Sequence, residues 1–309
     1  MRVAAFDCGT NSLRLLVADI DPATGRLDEL AREMRIVRLG EGVDRTGRIS
    51  EASLDRTFAA LEEYDALLAD LRPEKVRFCA TSAARDAENS DEFVAAVLDR
   101  VGVAPEVLTG DEEAQASFEG ATRSFPDLRS PCLVLDIGGG STELVLGAPR
   151  QARGPDEAQS LDIGSVRLTE RHLHDDPPTA AQVAAVRSDV DVALDECRVD
   201  ASSAATVIGV AGTVTTVAAG VLDLASYQRD RIHHADLPVP AVLETIDALV
   251  GMTVAERRAL GYMHPGRADV LAAGALILER VLSRTRVRSL RVSESDILDG
   301  IAWSMVSDH

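Results

Sequence analysis

Short apolar runs broken by turn residues dominate the first forty positions. Residues 3–6 are apolar and lead into Asp7-Cys8-Gly9-Thr10-Asn11-Ser12; residues 13–20 are apolar again, with Arg14 inside the run. That pattern predicts strand, tight turn, strand. Asp21-Pro22-Ala23-Thr24-Gly25 is another turn, and residues 27–39 read as a third strand. From Ser50, a residue suited to an N-cap, the apolar positions Leu54, Phe58, Leu61, Tyr64, Leu67, Leu68 and Leu71 follow helical spacing, with Pro73 beyond the end. The alternation continues with a strand at 76–81, a helix at 91–101, a strand at 104–108 and a helix at 111–123. Ser124-Phe125-Pro126-Asp127 looks like a joint. Strands follow at 132–135, 144–146, 205–210 and 290–292. Helices are expected at 180–197, from Gly212 to 222, at 239–250, 268–282 and 297–306. Strands alternating with helices define an α/β chain.

Length and charge narrow this picture. At 309 residues the chain exceeds one usual compact domain, so two are expected: 1–124, joined by a C-terminal helix at about 295–309, and 125–294. The formal net charge is −19. Such a chain repels nucleic acid and anionic membranes unless its basic residues are gathered locally. No apolar run approaches the ~20 residues of a membrane span, and an acid at position 7 argues against a signal peptide, so a soluble, cytoplasmic protein is expected. Lys75 is the only lysine, which excludes a Walker A loop. Cys8, Cys79, Cys132 and Cys197 lack CxxC spacing and read as buried free thiols. His172-x-His174 and His233-His234 have metal-like spacing but no HExxH or cysteine partner.

The most informative feature is a repeat. Asp7-Cys8-Gly9-Thr10-Asn11-Ser12-Leu13-Arg14-Leu15 aligns without a gap on Asp136-Ile137-Gly138-Gly139-Gly140-Ser141-Thr142-Glu143-Leu144. Asp, Gly, Ser and Leu coincide, and each copy is entered and left by an apolar strand. A glycine-rich turn lets backbone N–H groups approach an anion, and the preceding aspartate can reach a cation. One copy alone is equally an ordinary turn capped by Asp and Ser. Two equivalent copies favour a grip on a phosphate chain with a metal between.

These paired turns resemble the phosphate-binding loops of the actin, heat-shock-protein-70 and sugar-kinase ATPase superfamily. More closely, the chain resembles the exopolyphosphatase / guanosine pentaphosphate phosphatase family. The resemblance is carried by the two turns together with Ala80-Thr81-Ser82-Ala83-Ala84-Arg85, Gly110-Asp111-Glu112-Glu113-Ala114, Gly164-Ser165-Val166-Arg167-Leu168-Thr169-Glu170 and Gly209-Val210-Ala211-Gly212-Thr213. It implies two ribonuclease-H-like (actin-like ATPase) domains with an active cleft between them, and a homodimer. The chain ends at His309, where long members continue into helical domains, so the short two-domain form is implied and long-chain processivity is not expected. Cys8 stands where the family usually has a small apolar residue.

The resemblance also assigns roles. Glu113 becomes the base that positions or activates water; from the residues alone, Asp111, Glu112 and Glu113 read as acids favoured in a helix's first turn. Asp136 and Glu143 become ligands of Mg2+ (or Mn2+), with an exposed strand acid as the alternative for Glu143. Asn11, Ser12, Gly138, Gly139, Gly140 and Ser141 would hold phosphate oxygens. Arg85 would grip the chain near its end, as a planar fork suits. Arg14 and Arg167 are either further phosphate contacts or structural ion pairs, and Arg267 is a weaker candidate. The implied activity is hydrolysis of the terminal phosphoanhydride of inorganic polyphosphate, preferably short chains, with pppGpp as a second substrate. The competing readings are an ATP-dependent kinase or ATPase of the same superfamily and a non-catalytic nucleotide-binding regulator.

Overall fold

The computed structural model describes residues 1–149 and 154–306; the last three residues of the C-terminal helix expected at about 295–309 lie outside that range. The chain divides into two compact units, one formed by Met1–Gly120 with the segment from Ile297 onward, the other by Ala121–Asp296.

The first unit is built on a five-stranded sheet of β1 (Arg2–Cys8), β2 (Ser12–Asp21), β3 (Arg26–Ile36), β4 (Lys75–Ala80) and β5 (Glu106–Val107), in the order β3-β2-β1-β4-β5. β1, β2 and β3 are successively antiparallel, whereas β4 runs parallel to β1 and β5 parallel to β4. β1 is apolar from Val3 to Phe6 because both of its faces are covered there. Ala4, Phe6 and Cys8 join Leu13, Tyr64, Phe78 and Phe93 on one side; Val3 and Ala5 meet Ile301 and Trp303 of the helix Ile297–Ser304 on the other. The helix Glu51–Leu71 starts where expected, with Ser50 Oγ accepting from Ser53 N at 3.2 Å, a cap that contributes about 1 kcal/mol.

The second unit repeats that sheet. β6 (Cys132–Ile137), β7 (Thr142–Gly147), β8 (Glu157–Leu161), β9 (Thr206–Val210), β10 (Asp236–Pro238) and β11 (Ser289–Val292) lie in the order β8-β7-β6-β9-β11-β10. Three antiparallel strands and two parallel additions recur in the same order, with β10 added antiparallel at the edge. The helices Ala180–Asp195, Ala211–Val221, Val239–Gly251 and Leu271–Ser283 cover it. The last of these is apolar nearly all round and buried accordingly. The fold is therefore α/β with two ribonuclease-H-like sheets.

Several boundaries differ from expectation for identifiable reasons. β3 ends at Ile36 rather than at 39, because the N–H groups of Val37 and Arg38 leave the sheet and donate to Asn11 O at 3.1 and 2.9 Å. The strand expected at 104–108 shrinks to Glu106–Val107; Pro105 has no N–H to offer a ladder. β8 and β10 have no counterpart in the sequence reading, both being short edge strands with polar residues. Ser124 and Phe125, read as a joint, belong to the second unit, where the Phe125 ring lies 4.4 Å from that of His234. Among the described residues no helix is long and apolar enough to cross a membrane. All four cysteines are free: Cys8, Cys79 and Cys132 are buried and Cys197 is half-buried. Burial pushes the Cys79 thiol up to about 12 and that of Cys132 to about 11, which makes them poor nucleophiles.

Candidate active site

The two aligned turns adopt the same structure. Asp7 pairs in register with Arg14 across β1 and β2, and Asp136 pairs with Glu143 across β6 and β7. Each turn is closed by one bond, from Gly9 N to Ser12 O and from Gly138 N to Ser141 O, both 3.0 Å.

What surrounds each turn decides which way its dipoles face. In the first unit, Thr10 O accepts from Gly40 N at 2.9 Å and Asn11 O accepts from Val37 and Arg38. In the second, the N-terminus of the helix Ser165–His172 caps the turn. Gly138 O accepts from Ser165 N at 3.0 Å; Gly139 O accepts from Val166 N and Arg167 N at 2.8 and 3.1 Å; Gly140 O accepts from Arg167 Nε at 2.7 Å. The carbonyls are thus tied inward. The N–H groups of Thr10, Asn11, Gly139, Gly140 and Ser141 have no backbone acceptor among the described residues. Neither do the Asn11 amide or the Ser12 and Ser141 hydroxyls carry a side-chain hydrogen bond there. Such clusters of outward N–H groups are anion nests.

Close approach makes this possible at two glycines. A Cβ on Gly40 would lie 2.4 Å from Thr10 Cγ2, and one on Gly164 would lie 2.4 Å from Gly139 O and 2.6 Å from Gly140 C. At Gly164 every obstructing atom is backbone, so the helix start would have to withdraw from the turn. Gly164→Ala is therefore expected to lower stability on the order of 1–3 kcal/mol, read by denaturant unfolding. An unchanged midpoint would contradict this packing.

Arg14 is an ion-pair partner in the structure. Its Nε donates to Asp7 Oδ2 at 2.8 Å and its Nη2 to the same oxygen at 2.5 Å. Asp7 is 4% exposed, so the pair neutralises a buried charge. The equivalent pair in the second unit is two acids: Asp136 and Glu143 are 6% and 1% exposed. Arg167 is anchored to Gly140 O as described, and the Arg267 guanidinium lies against Gly212. The segment 209–213 is a strand-to-helix turn, β9 ending at Val210 and the helix beginning at Ala211.

The acids of the helix Gly110–Arg123 separate cleanly. Glu112 is exposed and completes a capping box with Thr109: its Oε2 accepts from Thr109 N and Oγ1, both at 2.8 Å, and its N–H donates to Thr109 Oγ1 at 3.3 Å. These bonds hold its carboxyl below the usual range. Glu113, one position on, turns inward and is 7% exposed. Arg85 meets it from the short helix Ser82–Asp86, Nη1 donating to Glu113 Oε2 at 3.0 Å and to Leu108 O at 2.9 Å. Both bonds use one nitrogen, so Nη2 and Nε of the fork have no partner among the described residues. In the first unit, the turn with Asn11, Ser12 and the Asp7–Arg14 pair is tied to the helix that bears Arg85 by Thr10 Oγ1 and Ser82 Oγ, 2.8 Å apart, and Arg85 in turn holds Glu113. The second brings together Gly138, Gly139, Gly140, Ser141, Asp136, Glu143 and Arg167.

Sequence reasoning missed Ser160, whose Oγ donates to Glu143 Oε1 at 2.7 Å. It lies on the unforeseen β8. The histidine pairs serve local structure: His172 Nε2 lies 2.7 Å from Asp189 Oδ2, His233 Nδ1 accepts from Glu294 N at 3.0 Å, and His234 Nε2 lies 3.1 Å from Ser124 Oγ. Among the described residues no group of three or more His, Cys, Asp or Glu gathers as a metal cluster.

With the geometry in place, comparisons are informative. Residues 16–309 match the Ppx/GppA phosphatase family. Exopolyphosphatase 2 of Mycobacterium tuberculosis is 46% identical over 98% of this chain and 98% of its own length. A solved exopolyphosphatase-like protein superposes with a TM-score of 0.93 at 41% identity, covering 99% of this chain and 98% of that one. An exopolyphosphatase from Cytophaga hutchinsonii superposes with a TM-score of 0.89 at 27% identity, covering 99% and 97%.

Proposed function

The chain belongs to the Ppx/GppA phosphatase family, and from that membership we propose that it is an exopolyphosphatase, a hydrolase that releases orthophosphate from the end of inorganic polyphosphate. The observation that carries the reading to residues is the Glu113–Arg85 pair, a buried carboxylate on an arginine whose fork keeps two nitrogens for phosphate. Glu113 orients a water and takes its proton as the water oxygen attacks the terminal phosphorus in line. The bond to the bridging oxygen breaks, and the shortened chain leaves with the electron pair. In the first unit, Arg85, the N–H groups of the turn at Thr10 and Asn11, the Ser12 hydroxyl and the Asn11 amide bind non-bridging oxygens; in the second unit, the N–H groups of Gly139 and Gly140 and the Ser141 hydroxyl form a phosphate nest of their own. Arg14 offsets the negative charge of Asp7, and Arg167 keeps the Gly139 and Gly140 carbonyls turned away from the bound phosphate.

Asp136 and Glu143 suit a divalent cation. They are hard oxygen donors, buried, and opposite one another across β6 and β7. With no cluster of three or more such ligands among the described residues, phosphate oxygens and water would complete the shell, which fits Mg2+ or Mn2+ better than zinc. Bound there, the ion would neutralise charge on the phosphate chain.

Substrate choice follows from the charge. A surface at −19 holds little of a long polyanion beyond the turns. At physiological salt, kcat/KM per chain end is expected to be several-fold higher for short polyphosphate than for long, with pppGpp cleaved as a second substrate to ppGpp. Phosphate release from short polyphosphate, long polyphosphate, pppGpp and ATP, assayed side by side, tests this. Equal cleavage of both lengths refutes the length preference. Cleavage of ATP alone favours the ATPase reading, and cleavage of none favours a binding protein. We propose further that the enzyme is cytoplasmic and a homodimer; light scattering of the purified chain checks the dimer.

A further inference from the structure

Strands β6, β7 and β8 set three polar side chains in one line across the sheet. Asp136 is paired in register with Glu143, and Glu143 with Ser160. Residues directly opposite on antiparallel strands share a face, and Ser160 Oγ donates to Glu143 Oε1 at 2.7 Å. The repeat supplies an internal control. The corresponding line in the first unit is Asp7, Arg14 and Met34. There the arginine closes on the aspartate, and the third place holds a thioether that cannot donate to a carboxylate. Acid, acid and hydroxyl occur in this line only in the second unit, where the cation ligands are proposed.

We infer that Ser160 is a positioning residue, orienting the Glu143 carboxylate for the cation; this rests on the reading of Asp136 and Glu143 as its ligands. The torsion that turns a glutamate carboxylate is broad and roughly two-fold, so packing around the stem does not fix its plane. A hydrogen bond to one oxygen does, and thereby sets the direction of the other. Glu143 is 1% exposed, so water is poorly placed to take over that bond. Ser160 comes from the neighbouring strand, so the constraint arises from sheet register and not from a mobile loop. Removing an outer-shell partner of a metal ligand typically costs ten- to a hundred-fold in affinity.

The test compares the full-length chain with Ser160→Ala and Ser160→Thr. Mn2+ binding is read by electron paramagnetic resonance without substrate, and the Mg2+ concentration for half-maximal phosphate release is read from short polyphosphate. Ser160→Ala is expected to weaken Mn2+ binding about tenfold and to raise the half-maximal Mg2+ concentration in step, with the loss in rate recovered by excess Mg2+. Ser160→Thr, which keeps the hydroxyl, should stay within about threefold of the parent chain. Unchanged Mn2+ affinity in Ser160→Ala overturns the inference, as does a rate loss that excess Mg2+ does not recover. Equal weakening in both variants also counts against the hydroxyl and overturns it. A parent chain that takes up no Mn2+ overturns the reading of the carboxylate pair, an outcome distinct from a Ser160 variant that binds like its parent.

Discussion

Replacing Glu113 by Gln is expected to cut the turnover of short polyphosphate about 10³-fold, within the range that loss of a positioned general base produces, while fold and substrate affinity stay near those of the parent chain. The substitution is nearly isosteric. Its amide oxygen can still accept from Arg85 Nη1, which now bonds Glu113 Oε2 at 3.0 Å, so the arginine keeps its place and its free nitrogens. What disappears is the negative charge that accepts a proton from water. Glu113→Ala would be a poorer probe, because it leaves Arg85 without its buried partner and mixes loss of base with loss of positioning. Glu112→Gln supplies the control on the same helix turn. Glu112 is spent on the Thr109 cap, so its substitution should weaken the helix start slightly and leave turnover largely intact. Single-turnover phosphate release together with polyphosphate binding separates the steps. Near-parental turnover in Glu113→Gln would remove this residue from the mechanism.

That contrast also marks how far sequence reasoning reached. Two adjacent glutamates in a first turn cannot be told apart by helical period, since both sit where acids are favoured. The local Thr109-x-x-Glu112 spacing could have assigned Glu112 to the cap and left Glu113 for chemistry. The paired turns were readable because strand, glycine turn and strand are encoded within nine consecutive residues. β8 was not, because Glu157-Ala158-Gln159-Ser160-Leu161 is a polar edge strand whose placement depends on β7 rather than on its own pattern. The duplication contained the missing signal: a third antiparallel strand follows the first turn unit, so one was due after the second. The roles of Gly40 and Gly164 were out of reach for a different reason. Each matters through contact with a turn about thirty or twenty-five residues earlier in the chain, and a lone glycine after a strand does not say what approaches it.

The duplication also yields the sharpest expectation about the cation, because Asp7 and Asp136 hold the same register position with opposite neighbours. Asp7 is matched by Arg14, so its charge is already offset within the protein. Asp136 faces Glu143, and two buried carboxylates paired across neighbouring strands repel each other, a repulsion that a cation bound between them would relieve. Chelation with EDTA should therefore reduce phosphate release to background, and Mg2+ should restore it. Asp136→Asn, which keeps size and polarity but removes one charge, should weaken Mn2+ binding by about a hundredfold or more, beyond the effect of losing an outer-shell partner, with turnover falling accordingly at any attainable Mg2+ concentration. Asp7→Asn should behave differently. It removes the charge that Arg14 pairs with and not a proposed metal ligand, so stability should fall while Mn2+ affinity changes by less than about threefold, a shift under ~1 kcal/mol. Both variants can be titrated with Mn2+ in the absence of substrate, which keeps the result independent of catalysis. If Asp7→Asn and Asp136→Asn lost Mn2+ equally, the asymmetry between an ion pair in one unit and an acid pair in the other would have no bearing on where the cation binds.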